Sequence, residues 1–112
     1  VSRRIPLLET ARGLFDVNGK AVARHQPQRP FEAWHVTYTS IDTTSASLSA
    51  CKVYRNFESP TNFIESSIFN GNSDSSDTEM NLAPGETLLY VWTGGTPGAI
   101  ATVSIRGDRL VT

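Results

Sequence analysis

The sequence predicts an all-β domain of β-sandwich or jelly-roll type with about eight short strands, and three observations carry that prediction. Apolar and polar residues alternate at period two through several short runs. Turn-forming residues interrupt these runs roughly every 8–12 positions. No stretch has the period of a long amphipathic helix, and Ser and Thr are plentiful where helix-building runs of Ala, Leu, Glu and Lys would otherwise stand.

At 112 residues the chain is the size of one domain. It can bury roughly two-thirds of its unfolded surface without a metal or crosslink. Hydrophobic residues make up 38% and charged residues 19%, enough apolar content to argue against disorder. Two parts are expected, a basic N-terminal arm with a hairpin over residues 1–30 and a β-sandwich body over residues 31–112.

Residues 1–13 show no strong period, and Pro6 is expected to block a regular ladder there. Leu14-Phe15-Asp16-Val17 and Lys20-Ala21-Val22-Ala23 then flank Asn18-Gly19, a pair that tolerates the positive φ angles of a type I′ turn. A hairpin is predicted. Pro27 and Pro30 make residues 25–30 an extended connection.

From Phe31 the pattern places Trp34, Val36 and Tyr38 on one strand face, with His35, Thr37 and Thr39 on the other. A Ser/Thr loop over 43–49 leads to a strand from about 48 to 55, with Cys51 and Val53 inward. Residues 59–62 form a turn, and residues 63–69 fit either a strand or a short helical turn. Residues 70–77 read as a polar loop, followed by a short strand with Met80 and Leu82 on one face. Pro84-Gly85 suits the centre of a type II turn. In the strand over 87–93 Leu88, Tyr90 and Trp92 oppose Leu89 and Val91, so both faces need cover: a second sheet with the arm, or another subunit. After a glycine-rich turn at 94–98, Ala99, Ala101, Val103 and Ile105 face inward on the last strand.

Net charge is only −1, but its distribution is uneven. Residues 1–30 carry +4, with Arg3, Arg4, Arg12, Lys20, Arg24 and Arg29 against two acids, and residues 31–112 carry −5. A basic arm on an acidic body marks a contact with a partner, such as a neighbouring copy, or an arm that folds back on its own body. Arg3, Arg4, Arg12, Arg24 and Arg29 are therefore the candidate partner-binding residues.

Catalysis finds little support in the sequence, and no enzyme is expected. The only histidines are His25, in a proline-flanked linker, and His35. The single cysteine, Cys51, is expected to be a buried, inert thiol, and no disulfide can form within the chain. Asn70, Asn72, Asp74, Asp77 and Glu79 have oxygen ligands, but Gly71 falls second where the calcium loop of an EF-hand needs glycine sixth; a solvated loop and no cofactor are expected. The glycine-rich turn lacks the ending of a phosphate loop, and Arg106-Gly107-Asp108 is discounted as a chance tripeptide.

Nucleic acid is not an expected partner, since the arm offers only Phe15 for stacking and the body is acidic. Neither is a membrane, for no apolar run approaches about 18 residues and Arg3-Arg4 precede no apolar signal core. Carbohydrate binding would use Trp34, Tyr38, Tyr54, Tyr90 and Trp92, most of which alternate onto the core face. Rings exposed on one surface would favour that reading, and buried rings would remove it.

Cys-Lys-Val-Tyr-Arg (51–55), Ser-Pro-Thr-Asn-Phe-Ile (59–64), Asn-Gly-Asn-Ser-Asp-Ser-Ser-Asp (70–77), Leu-Ala-Pro-Gly-Glu-Thr-Leu (82–88) and Val-Trp-Thr-Gly-Gly-Thr-Pro-Gly-Ala-Ile-Ala-Thr (91–102) together resemble small β-domains encoded among virion genes of tailed bacteriophages, especially those of actinobacteria. The resemblance covers about residues 31–107 and carries over no active site. It implies a non-enzymatic structural protein of the virion, assembled in the host cytoplasm and foremost a capsid decoration or cement protein docking through its arm. A neck, tail or baseplate component, or a carbohydrate- or receptor-binding module, is the alternative. The implied partners are other virion proteins, such as the major capsid protein or tail and neck proteins, and further copies of the chain in a homo-oligomer.

Overall fold

The computed structural model describes residues 3–27, 30–70 and 72–111, without the side chains of residues 65–70. Among the described residues nine strands form: β1 (Arg3–Leu14), β2 (Ala21–His25), β3 (Glu32–Thr43), β4 (Ala50–Arg55), β5 (Phe63–Asn70), β6 (Ser73–Ser76), β7 (Met80–Leu82), β8 (Leu88–Thr93) and β9 (Ile100–Val111). Sheet A runs β1-β9-β3-β6, with β7 also on β3, and sheet B runs β2-β8-β4-β5. Every pairing is antiparallel. β6 and β7 lie end to end along β3, opposite residues 39–42 and 34–36, so they act as one interrupted edge strand. Counted so, eight strands form two packed four-stranded sheets in the order of a jelly roll, the chain crossing from one sheet to the other at every step except β4 to β5.

The core between the sheets takes one face of each. Leu7, Trp34, Val36, Ile41, Cys51, Val53, Leu88, Tyr90, Trp92, Ala101, Val103 and Ile105 are buried there. Each large apolar side chain removed from water contributes about 1.5–3 kcal/mol, the main force holding the two sheets together.

Residues 3–25 are not a detached arm. β1 pairs with β9 at every position from Arg3↔Val111 to Leu14↔Ile100, and β2 pairs with β8 in the opposite sheet. The division at residue 30 is thus crossed by both sheets. Pro6 does not prevent the ladder because β1 is an edge strand, where a missing N–H can face away from the neighbour. The Asn18-Gly19 turn exists, but its flanking strands enter different sheets instead of pairing as a hairpin. Only Gly19 there takes positive φ (76°), and Asp16 holds the turn by accepting from the Asn18 and Lys20 amides at 2.8 and 3.1 Å.

β3 follows the predicted alternation only as far as Val36. Val36 faces Gly107 and Tyr38 faces Arg106, which leaves Thr37 as an extra residue in a β-bulge. The bulge reverses the phase, so Thr39 and Ile41 enter the core while Tyr38 turns outward. Gly107 makes the bulge possible, since any Cβ there would collide with the His35 carbonyl oxygen.

Other turns follow the expected chemistry. Gly85 has φ 85°, and the Glu86 amide donates to the Ala83 carbonyl at 3.0 Å. Residues 63–69 lie in a strand, after a short 3-10 turn over Pro60–Asn62. The polar loop expected at 70–77 instead contains β6, whose serines pair with β3. The outward side chains of β8, Leu89 and Val91, are only 6% and 4% exposed. No further layer covers them among the described residues; their cross-strand neighbours are Arg24 and Tyr54 beside Leu89, and Val22 and Lys52 beside Val91. Long basic side chains shield such surface with their aliphatic stems.

Candidate functional site

The arginines expected to bind a partner gather on one side of the sandwich but not in one patch. β1 and β2 are the adjacent edges of the two sheets, and Arg3, Arg4, Arg12 and Arg24 are exposed along them. Strand parity sends Arg4 and Arg12 to the outer face of sheet A and Arg24 to the outer face of sheet B. Arg4 reaches Asp108 at 3.2 Å, an exposed pair of small energetic consequence. Arg29 lies outside the described residues.

Between these edges the sandwich closes at one end and opens at the other. At the closed end Gly13 lies against β2, where an added Cβ would come 2.5 Å from the Val22 carbonyl oxygen. At the open end a cavity of about 270 Å³ is lined by Glu9, Thr10, Ala11, Arg24, His25, Gln26 and Trp34. Several polar groups that would be costly in a sealed core are paired here, although Arg109 Nε is buried without a hydrogen-bond partner. Arg109 donates to Glu9 at 2.7 Å, and the Trp34 indole N–H donates to buried Glu32 at 2.8 Å. His25 is 4% exposed, lies edge-on to Tyr90 with centroids 5.8 Å apart, and has Nε2 3.3 Å from the Val103 carbonyl oxygen. Burial lowers its pKa below the ordinary value, against the opposing effects of that carbonyl and of Glu9. His25 thus ends β2 instead of standing in a linker. The signal for this is the Ala21, Ala23, His25 alternation, which continues to the end of β2.

No nucleophile reaches this cavity from Cys51, which is fully buried in β4, its thiol pKa pushed up by desolvation. The oxygen-rich segment after residue 70 is also put to structural use. Asn72 accepts from the Ser49 amide and hydroxyl at 3.1 and 2.8 Å and donates to the Ser45 and Ser47 carbonyls at 3.2 and 2.9 Å. Asn70 has no described side chain, and among the described residues no three His, Cys, Asp or Glu side chains gather as metal ligands. Arg106-Gly107-Asp108 lies inside β9 at the bulge rather than on a loop, and Gly94 and Gly98 take the positive φ angles of the turn between β8 and β9. Among the described residues no helix is long and apolar enough to cross a membrane.

The five candidate sugar-binding rings do not share a surface. Trp34, Tyr90 and Trp92 are core residues. Tyr38 lies on the outer face of sheet A with the Arg106 guanidinium 5.6 Å from its centroid. Tyr54 is on the outer face of sheet B, 5.7 Å from the Phe63 ring, in a groove of about 340 Å³ lined also by Lys52, Glu58, Ser59 and Pro60. Lys20 bridges to Glu58 at 2.7 Å beside this groove.

No protein-family model matches this chain, and no curated protein sequence matches it. Among solved structures it is similar to the Yersinia pseudotuberculosis-derived mitogen, with 11% identity and a TM-score of 0.40 over 92% of this chain and 86% of that one. It is also similar to the CBM36-1 domain of a multidomain xylanase from the hindgut metagenome of Trinervitermes trinervoides, with 12% identity and a TM-score of 0.35 over 89% and 76%. PirA is similar at 14% identity and a TM-score of 0.33 over 89% and 92%. At these values the likenesses carry no argument about what the chain binds.

Proposed function

We propose that this chain is a non-catalytic structural protein of a tailed-phage particle, a capsid decoration or cement protein that docks through its β1–β2 side. The observation that carries the reading is the exposure of Arg3, Arg4, Arg12 and Arg24 along two adjacent sheet edges of a tightly packed body. Charges fixed on paired strands lose little freedom on docking, so they serve a repeated contact better than a loose arm would. The resemblance of residues 31–107 to tailed-phage virion domains supports the placement. Its blocks fall on parts that set the shape of the body: Cys51 and Val53 in the core, Pro84-Gly85 in a turn, and Gly94 and Gly98 at positive φ.

The partners on this reading are the major capsid protein or neck and tail proteins, together with further copies of the chain. Quantitative mass spectrometry of purified particles from the phage encoding the chain tests it. A stoichiometric copy number tied to the symmetry of head, neck or tail is expected, and absence from washed particles would end the reading.

A glycan- or receptor-binding module is the second reading, favoured by the Tyr54–Phe63 groove with its Lys52 and Glu58 head groups. Glycan-array binding that disappears in Tyr54→Ala would select it over the first.

A further inference from the structure

The uneven charge of the sequence becomes a spatial polarity in the fold. Sheet A has two edges without a strand partner among the described residues, β1 on one side and the interrupted β6–β7 strand on the other. β1 carries Arg3, Arg4 and Arg12, all exposed. The opposite edge carries Asp77 and Glu79 in its break, with Asp42 on β3 alongside Ser73. Glu79 is largely exposed and has His35 at 3.5 Å.

We propose that copies of this chain associate head to tail, the basic β1 edge of one meeting the acidic β6–β7 edge of the next. The inference rests on the assembly reading above and names the partner and the two surfaces. Within one copy Arg4 is paired with Asp108, but Asp77 and Glu79 stand apart from the β1 arginines. Asp42, on β3, has only β9 between it and Arg12, whereas β9 and β3 both stand between β1 and the break that holds Asp77 and Glu79, a separation of about 14 Å at the usual strand spacing. That exceeds the Debye length of about 8 Å at physiological ionic strength. Contact between copies brings them together. A two-fold β1–β1 contact would instead set arginines against arginines, which like-charge repulsion disfavours. Arginines and Pro6 on β1 also discourage indiscriminate strand pairing while admitting an edge of opposite charge. A contact between unlike surfaces propagates, closing into a ring or running on as a filament.

Light scattering and sedimentation of the full chain test this, with three proteins: the unaltered chain, a basic-edge variant (R3E/R4E/R12E) and an acidic-edge variant (D42K/D77K/E79K). All the changed side chains are exposed, and circular dichroism checks that each variant folds. The unaltered chain is expected to form oligomers at about 50 mM salt that dissociate by about 0.5 M as screening shortens the Debye length. Each variant alone should associate at least about tenfold more weakly. An equimolar mixture of the two should recover association, because each retains one functional edge. A chain that is monomeric at every concentration and salt overturns the proposal, and so do variants that assemble like the unaltered chain. Closed dimers of the basic-edge variant with the unaltered chain, unaffected by the acidic-edge changes, overturn it in favour of a two-fold contact. A monomer that is still found in purified particles removes head-to-tail pairing alone; absence from particles removes the virion reading whatever the mass in solution.

Discussion

β1 and the β6–β7 pair border the same sheet, yet one runs unbroken for 12 residues and the other is divided into four and three. The difference begins in the strands beside them. β9 offers β1 a partner in unbroken register from Ile100 to Val111. β3 offers β6 and β7 a partner that is bulged at Thr37, and the break over 77–79 lies beside that bulge. The unbroken edge therefore acts as a structural wall of the core, with Leu7 packed inward, while the broken edge holds its acids out on a short excursion of chain. Edges of one sheet can differ this much because each answers to its own neighbour.

The comparison is broken most severely by removing the continuous edge. A chain lacking residues 1–14 exposes β9 and discards Leu7, and it is expected to lose most of the about 5–15 kcal/mol that holds a domain folded. Its near-ultraviolet circular dichroism should collapse; a folded truncation would show β1 to be the loose arm that the sequence suggested.

Removing the cause of the broken edge comes next. Gly107→Val forces a side chain into the His35 carbonyl, and a loss of about 4 kcal/mol or more is expected because backbone cannot yield there. Denaturant midpoints measure it, and a loss under about 1 kcal/mol would mean that the bulge is not fixed by that glycine.

Within β1 the contrast is sharpened by adjacent residues. Leu7 is 2% exposed and Leu8 is 66% exposed. Leu7→Ala should cost about 2–5 kcal/mol through transfer and cavity terms, whereas Leu8→Ala should stay within about 0.5 kcal/mol. Equal effects in urea unfolding would contradict the register of β1 on β9.

The smallest expected effect is on pH dependence, at the open end between β1 and β2. His25 has a folded pKa below its ordinary 6.5, so the unfolded chain takes up the proton more readily. Its contribution is complete above pH 6.5 and is lost as pH falls from there through the lower folded value. His25→Phe should therefore lose less stability than the unaltered protein between neutral pH and mild acid. Parallel losses in guanidinium midpoints would assign the acid sensitivity to the carboxylates instead.

Much of the architecture was legible because it is local. The inward positions Cys51, Val53, Ala101, Val103 and Ile105 follow from alternation, and Gly85 follows from turn chemistry. The errors share a physical origin in contacts between residues distant in sequence. Tyr38 and Thr39 exchanged faces because a bulge depends on Gly107, some 70 positions away. The hairpin at Asn18-Gly19 failed because β8 and β9 compete for the strands on either side of it. The serines of β6 gave no strand signal because a polar edge strand is held by its neighbour's ladder rather than by apolar burial. Of the candidate interface, the arginines were identifiable, but the open cavity beside His25 and Trp34 was not, since no spacing announces where two edges part.

The amino-acid sequence determined the all-β class, most of the turns, the inward faces of the regular strands and the imbalance of charge between the first 30 residues and the rest. Periodicity, turn chemistry and charge are properties of neighbouring residues, so they can be read one segment at a time. Only the tertiary structure decided that the basic segment forms the wall of both sheets and that opposite charges border sheet A on opposite sides. Those outcomes depend on which strands pair, and pairing is settled by burial and hydrogen bonding summed over the whole chain.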